Sequence, residues 1–364
     1  MSRAVLQICH SYYPPFLDCA RQYAALFKGT DYRVVTVYLA GPPDEAVRIG
    51  SESEEVLFLG YSSKQIRGLK LGAIARIREL ARQYDFAFCI AHRVKPTYVA
   101  LLATNLHVYS IHHNYNDYKR ASRRLLVNWY KRRLTMLCVS NSVRDEMRQH
   151  LSNWPVDKIS TLYNRIDVAR IRRELVSRSD ARIHLGLPED ALIFGNVGRL
   201  HHDKDQATLI KAFAQALPGL SANALLVIIG QGPLEASLKQ LVHELHVDRK
   251  IQFLGQVPDA RRYFKAFDAF ILSSDHEPFG MVLLEAMAAE LPIVCSDSGG
   301  GAEVVASVGN LFVTGDTSSL AASIKQLADD ISRFDSRPML HQLSDRFSDE
   351  AAQQEFFSLL SIPK

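Results

Sequence analysis

Thirteen short apolar runs, separated by stretches of helical period, constrain this chain more than any other feature. They fall at 4–9, 33–38, 56–59, 86–91, 108–112, 136–140 and 159–163 in the first half. In the second half they fall at 192–197, 224–229, 251–254, 269–272, 293–295 and 310–313. A strand with one wet face alternates apolar and polar residues, whereas these runs are continuous, as strands buried on both faces are. The pattern predicts an α/β fold, with parallel sheets covered by helices on both sides. A chain of 364 residues exceeds the size at which one core stops growing, so two Rossmann-like doubly wound domains are expected. The polar, arginine-rich stretch 164–187 marks the break. The first domain is expected over 1–170 and the second over 171–344, with a last helix at 345–364 packing back on the first. A cleft between the halves, at the carboxyl ends of the strands, is the expected binding site.

Composition removes several alternatives. With 47% hydrophobic and 23% charged residues and no repeat period, the chain reads as neither disordered nor a solenoid. No apolar run approaches the ~18 residues of a membrane span, and the first ten residues enter a strand at once, so a cytoplasmic location is expected. Cys9, Cys19, Cys89, Cys138 and Cys295 are widely spaced and odd in number, which predicts buried free thiols.

Residues 276–305 carry the densest chemistry. Pro278 suits a first helical turn, because its missing N–H would have no partner there, so a helix is expected to start near Phe279. The N–H groups of Phe279, Gly280 and Met281 would then face outward at the positive end of the helix dipole, an anion seat. Glu277 precedes this helix and Glu285 lies inside it, and carboxylates accept hydrogen bonds from sugar hydroxyls. A strand and a glycine loop ending in Glu303 follow. Taken alone, Glu277 and Glu285 could equally be a dipole-complementing charge and a solvated helix residue.

Two further signals converge on this segment. The run 192–197 ends in Gly198-Arg199, with Lys204 close behind, placing a guanidinium and an ammonium where a diphosphate leaving group would need positive charge. Gly230-Gln231-Gly232-Pro233 reads as a tight turn suited to close approach by a nucleotide. It is not a dinucleotide fingerprint, since Glu235 stands at the third glycine position.

Taken in order, Gly198-Arg199-Leu200 with Lys204, Gly230 to Pro233, Phe253-Leu254-Gly255, Glu277 with Glu285, and Gly299 to Val305 resemble the donor domain of retaining glycosyltransferases of the GT-B fold, family 4 (glycosyl transferases group 1). The match is strongest over 190–315. It is looser before that, through His112-His113-Asn114, Val139 to Val143 and Tyr163 to Asp167, where Arg165 replaces a glycine. The resemblance implies sugar transfer with retention from a nucleotide-diphosphate sugar, with UDP the family's usual base, and no metal or other cofactor. It implies that Arg199 and Lys204 grip the diphosphate and that Glu277 binds sugar hydroxyls. Phe279, Gly280 and Met281 would offer N–H groups, Glu285 would hold the ribose, and Gly198, Gly230, Gly232 and Glu303 would complete the donor site. His112 matches the family's strand-end histidine, with His113 the alternative because the two are adjacent. The acceptor implied is a glycan or glycolipid, with lipopolysaccharide core or another cell-surface polysaccharide as the product. Another GT-B activity, such as an epimerase or phosphorylase, and a noncatalytic nucleotide-sugar-binding scaffold are the alternatives.

The first loop departs from the family. Where many relatives have Gly-Gly, this chain has Phe16-Leu17, so phosphate contact there is not expected, and Asp18 and Arg21 are possible acceptor contacts. Asp203-Lys204-Asp205 formally contains Asp-x-Asp, but its centre is the phosphate lysine, and no histidine spacing suggests zinc. Net charge is only +4, yet 119–133 holds seven Lys or Arg and no acid, interleaved with Leu125, Trp129 and Tyr130, and 64–82 is a second basic run. Peripheral contact with the inner face of an anionic membrane is one reading, and a solvated helix face is the other. No nucleic-acid module is present, so none is expected as a partner.

Overall fold

The computed structural model describes residues 3–13 and 16–360, and the chain divides into two compact units, Met1–Asn164 with Asp349–Lys364, and Arg165–Ser348. Pro14 and Pro15 of the first loop, and residues 361–364 of the expected last helix, lie outside the described residues.

The first unit is built on β1 (Arg3–Cys9), β2 (Tyr32–Ala40), β3 (Glu55–Tyr61), β4 (Phe86–His92), β5 (Val108–His112), β6 (Leu134–Cys138) and β7 (Ile159–Thr161). All pairs are parallel and the order is β3-β2-β1-β4-β5-β6-β7. The second unit has β8 (Ile193–Val197), β9 (Leu225–Ile229), β10 (Ile251–Gly255), β11 (Ala269–Leu272), β12 (Ile293–Ser296) and β13 (Asn310–Phe312), ordered β10-β9-β8-β11-β12-β13. Each sheet reverses its winding once, between β1 and β4 and between β8 and β11. Ligands of doubly wound sheets bind outside the strand ends at such points.

All thirteen expected strands form. The one displaced by two residues is β6, because Ser140 leaves the strand to cap the helix Asn141–His150, its hydroxyl accepting from Val143 N–H at 3.2 Å.

Helices supply the other half of each core. In the second unit Phe194, Ile228 and Ile271 of the sheet meet Leu209, Phe213 and Ile324 of covering helices, all fully buried. In the first unit the helix Asp349–Leu360 adds Ala352, Phe356 and Phe357 to Tyr32, Phe88 and Tyr109. Full burial of a side chain such as Phe356 is worth about 1.5–3 kcal/mol. Among the described residues no helix is long and apolar enough to cross a membrane. All five cysteines are free thiols; four are buried and Cys19 is half-buried, less enclosed than its sequence suggests.

Candidate active site

The second unit's site grows from the ends of β8 and β11. Gly198 extends the β8 pairing, its N–H donating to Ile229 C=O at 2.9 Å, and Arg199 then leaves the sheet with a side chain 71% exposed. The next turn is closed by Asp205, which adopts φ 42° and caps the helix Gln206–Ala216 by accepting from Thr208 N–H. Gln206 donates to Arg199 C=O at 3.0 Å, and Ser273, just past β11, donates to Lys204 C=O at 2.9 Å. These bonds fix the loop after β8 against the end of β11.

That bracing brings Lys204 and Glu277 together. Lys204 Nζ lies 2.6 Å from Glu277 Oε2, with side-chain exposures of 18% and 8%. Ser274 Oγ donates to the same oxygen at 3.1 Å. Asp203, beside them, pairs with His201. Partial burial works against its ionisation, but the His201 hydrogen bond and the charges of Lys204 and Arg199 hold its carboxyl below the usual range.

The helix expected at Phe279 starts at Met281 instead and runs Met281–Ala288. Gly280 is its N-cap residue at φ 90°, so Pro278 sits outside the first turn, and Phe279 is buried against Phe347 with ring centroids 5.8 Å apart. Of the three expected N–H groups, those of Gly280 and Met281 stand at the helix start and that of Phe279 does not. Glu285 is the fifth helical residue and half-buried.

The glycine segment before Glu303 is a helix, Gly299–Val305, not a loop. A Cβ on Gly300 would lie 2.2 Å from Pro278 C=O, and Gly300 N–H donates to Glu277 C=O at 2.8 Å. These glycines let a helix press against the backbone that holds Glu277. Close backbone approach also explains Gly230 and Gly232. A Cβ on Gly230 would sit 1.9 Å from Gly198 O, and one on Gly232 would sit 2.2 Å from Leu200 O. The space these residues leave on their Cβ side is filled by the chain's own 198–200 backbone, so they hold the loop that carries Arg199.

In the first unit, adjacent histidines part company at the end of β5. His112 is fully buried, with Nε2 2.8 Å from Ser110 Oγ and Nδ1 2.8 Å from Asp117 Oδ2. Burial opposes ionisation of Asp117, but His112, Arg93 and Arg123 hold its carboxyl below the ordinary range. His112 is therefore held at both ring nitrogens. His113 is half-exposed and stacks on His92 at 5.6 Å, with Nε2 3.3 Å from His92 Nδ1 and Nδ1 3.8 Å from Cys19 Sγ. Arg21, expected near an acceptor, is buried and bonded to Asp349 at 2.8 Å, where it ties the last helix to the first. Asp18 stays half-exposed beside it, accepting from Gln22 at 3.3 Å.

Similarity to known proteins agrees with this layout. The profile described as Glycosyl transferases group 1 matches residues 177–349, and that of Glycosyltransferase Family 4 matches residues 16–170. The chain belongs to the family 4, group 1 glycosyltransferases. An uncharacterized glycosyltransferase of Methanocaldococcus jannaschii is 34% identical over 174 residues, which is 47% of this chain and 44% of that protein. The lipopolysaccharide core biosynthesis glycosyltransferase LpsD of Rhizobium meliloti is 30% identical over 207 residues, 56% of each. The chain thus spans about half the length of the curated relatives it matches. Among solved structures, Anabaena HepE in complex with UDP superposes with a TM-score of 0.80 over 99% of this chain and 100% of that one, at 20% identity, a likeness of GT-B fold.

Two residues of this family 4 protein escaped sequence reasoning. Ser274 gave a faint signal, a polar pair ending an apolar strand, and it holds Glu277. Arg93 gave none. It adopts φ 72° and ψ 176° just past β4, donates its N–H to Ile111 C=O at 2.7 Å, and sets its guanidinium 5.3 Å from the Phe16 ring. Such a conformation is uncommon for a non-glycine residue.

Proposed function

We propose that this chain transfers a sugar, with retention, from a nucleotide-diphosphate donor to a hydroxyl of a cell-surface glycan or glycolipid. The observation that carries the reading is the Lys204–Glu277 pair at the winding reversal of the second sheet, with the exposed Arg199 beside it. Glu277 accepts hydrogen bonds from donor-sugar hydroxyls while Lys204 and Arg199 face the diphosphate. Glu285 and the N–H groups at the start of Met281–Ala288 complete the donor seat. In the transfer, the bond from the anomeric carbon to the diphosphate oxygen breaks and its electron pair leaves with the phosphate. The acceptor oxygen bonds to the same face, and its proton passes to the departing phosphate. Positive charge from Lys204 and Arg199 stabilises the leaving group, so the scheme requires neither a metal nor a protein nucleophile.

UDP is the base we place first, supported by the UDP named with Anabaena HepE, and lipopolysaccharide core synthesis the pathway class, supported by the relative LpsD. His113, not His112, is our candidate for the family's strand-end histidine. A thermal-shift screen over nucleoside diphosphates and their sugars tests the reading, because a ligand that binds only the folded chain raises Tm. Stabilisation by UDP and a UDP-sugar is expected. A flat profile across all the nucleotides would contradict it.

A further inference from the structure

Two basic runs far apart in sequence meet in the first unit around a groove of about 970 Å³. Its walls come from the connections after β3 and β4 and from the helix Ala121–Trp129 that follows β5, so it opens on the carboxyl edge of that sheet. Arg67, Lys70, Lys95, Arg120 and Arg123 line it, and no Asp or Glu is among the lining residues. The cations crowd one another. Burial first, then Lys95 and Arg123, lower the Lys70 ammonium; burial first, then Arg67, Arg93 and Arg123, lower Lys95. Such a cluster of like charges attracts anions.

The rim is apolar. Leu125 and Trp129, four residues apart and so on one helix face, are 73% and 82% exposed, while Leu69 and Leu71 flank Lys70 at 67% and 69%. Large side chains left this bare beside a cationic groove match the boundary between headgroups and acyl chains. Not every cation of the basic runs serves this face. Arg123 donates to the Asp117 carbonyl, Arg124 to those of Tyr118 and Lys119, and Arg133 to those of Leu101 and Leu106, so all three are structural.

We propose that this groove docks the protein on an anionic phospholipid bilayer, with Trp129, Leu125, Leu69 and Leu71 entering the headgroup layer and Arg67, Lys70, Lys95 and Arg120 pairing with lipid phosphates. The docking goes beyond the transfer reading and does not depend on it.

Co-sedimentation of the full chain with vesicles tests it directly. Trp129 doubles as a reporter, because the second tryptophan, Trp154, is buried with its Nε1 bonded to Asn128 at 2.6 Å. Pelleting with phosphatidylcholine vesicles that contain phosphatidylglycerol, accompanied by a blue shift of tryptophan emission, is expected, and pure phosphatidylcholine should give neither. The triple variant Arg67→Glu, Lys70→Glu, Lys95→Glu should lose at least about a hundredfold in partitioning, given the contribution of each basic residue near a charged surface. Should that variant not fold, Lys70→Gln with Lys95→Gln carries the test with about a thirtyfold loss. Wild-type protein that stays in the supernatant, equal binding to neutral vesicles, or neutralised variants that pellet like wild type would overturn the proposal. So would the same blue shift with soluble glycerol phosphate, which would make the groove a site for a small anion.

Discussion

Lys204 Nζ lies 2.6 Å from Glu277 Oε2, and the two residues come from loops on either side of the point where the second sheet reverses its winding. The two charges face each other in a mostly buried setting, so removing one leaves the other less well compensated. Lys204→Ala should therefore cost about 3–5 kcal/mol in stability, read by urea unfolding. Glu277→Gln retains hydrogen-bonding capacity and size, so it should fold while turnover falls roughly 10²–10³-fold.

Glycine substitutions separate framework from site. Gly230→Ala and Gly232→Ala force a methyl onto the Gly198 and Leu200 carbonyls, and each should destabilise the chain by about 2 kcal/mol or more. At Gly198 a Cβ would meet nothing closer than Lys204 Cγ at 3.9 Å. Gly198→Ala should fold normally, so a loss of nucleotide affinity in that variant would report the ligand's approach. Equal melting temperatures for all three variants would refute the assignment.

The adjacent histidines should behave oppositely. His112→Ala leaves Asp117 buried without its imidazole and should destabilise by about 1–3 kcal/mol. Because the folded Asp117 carboxyl ionises more readily than in the unfolded chain, its stabilising contribution is present above the ordinary carboxylate range and lost as pH falls through the folded value. His113→Ala should melt near the wild-type temperature and lose turnover instead. Paired melting and kinetic measurements on the two variants decide the matter.

Two other histidines set an acid-side slope. Burial, then Lys95 and Arg93, lower His10 from 6.5 to about 4, and burial, then Lys158 and Arg133, lower His107 to about 4. Both imidazoles take up protons more readily in the unfolded chain. Their contribution is full above 6.5 and declines as pH falls towards 4. Unfolding free energies should drop over that window, and less steeply in His10→Asn. An unchanged slope in that variant would count against the assignment.

Strand positions were legible because buried parallel strands are continuous apolar runs that little else in a sequence imitates. That Arg199, Lys204 and Glu277 lie past strand ends was legible too, since each comes within seven residues of such a run. What sequence missed depends on neighbours distant in the chain. Pro278 looks like a helix start, but the backbone waits until Gly280 to turn, because Phe279 is drawn into the core beside Phe347. The close packing at Gly230 and Gly300 was hidden as well, because the carbonyls of Gly198 and Pro278 that fill their Cβ space lie elsewhere in the chain. Arg21 looks like an acceptor contact until Asp349, over three hundred residues later, takes its guanidinium. The same holds for His112, whose burial is decided by Ser110 and Asp117 together.

The most direct test of the central claim is nucleoside diphosphate release from UDP-sugars, with a sugar or glycolipid acceptor present, by wild type and by Glu277→Gln at a temperature where both are folded. Release by wild type that falls roughly 10²–10³-fold in the variant is the predicted result. Tight UDP-sugar binding with no release, or release that Glu277→Gln leaves unchanged, would contradict the assignment of Lys204 and Glu277 as the centre of a sugar-transfer site.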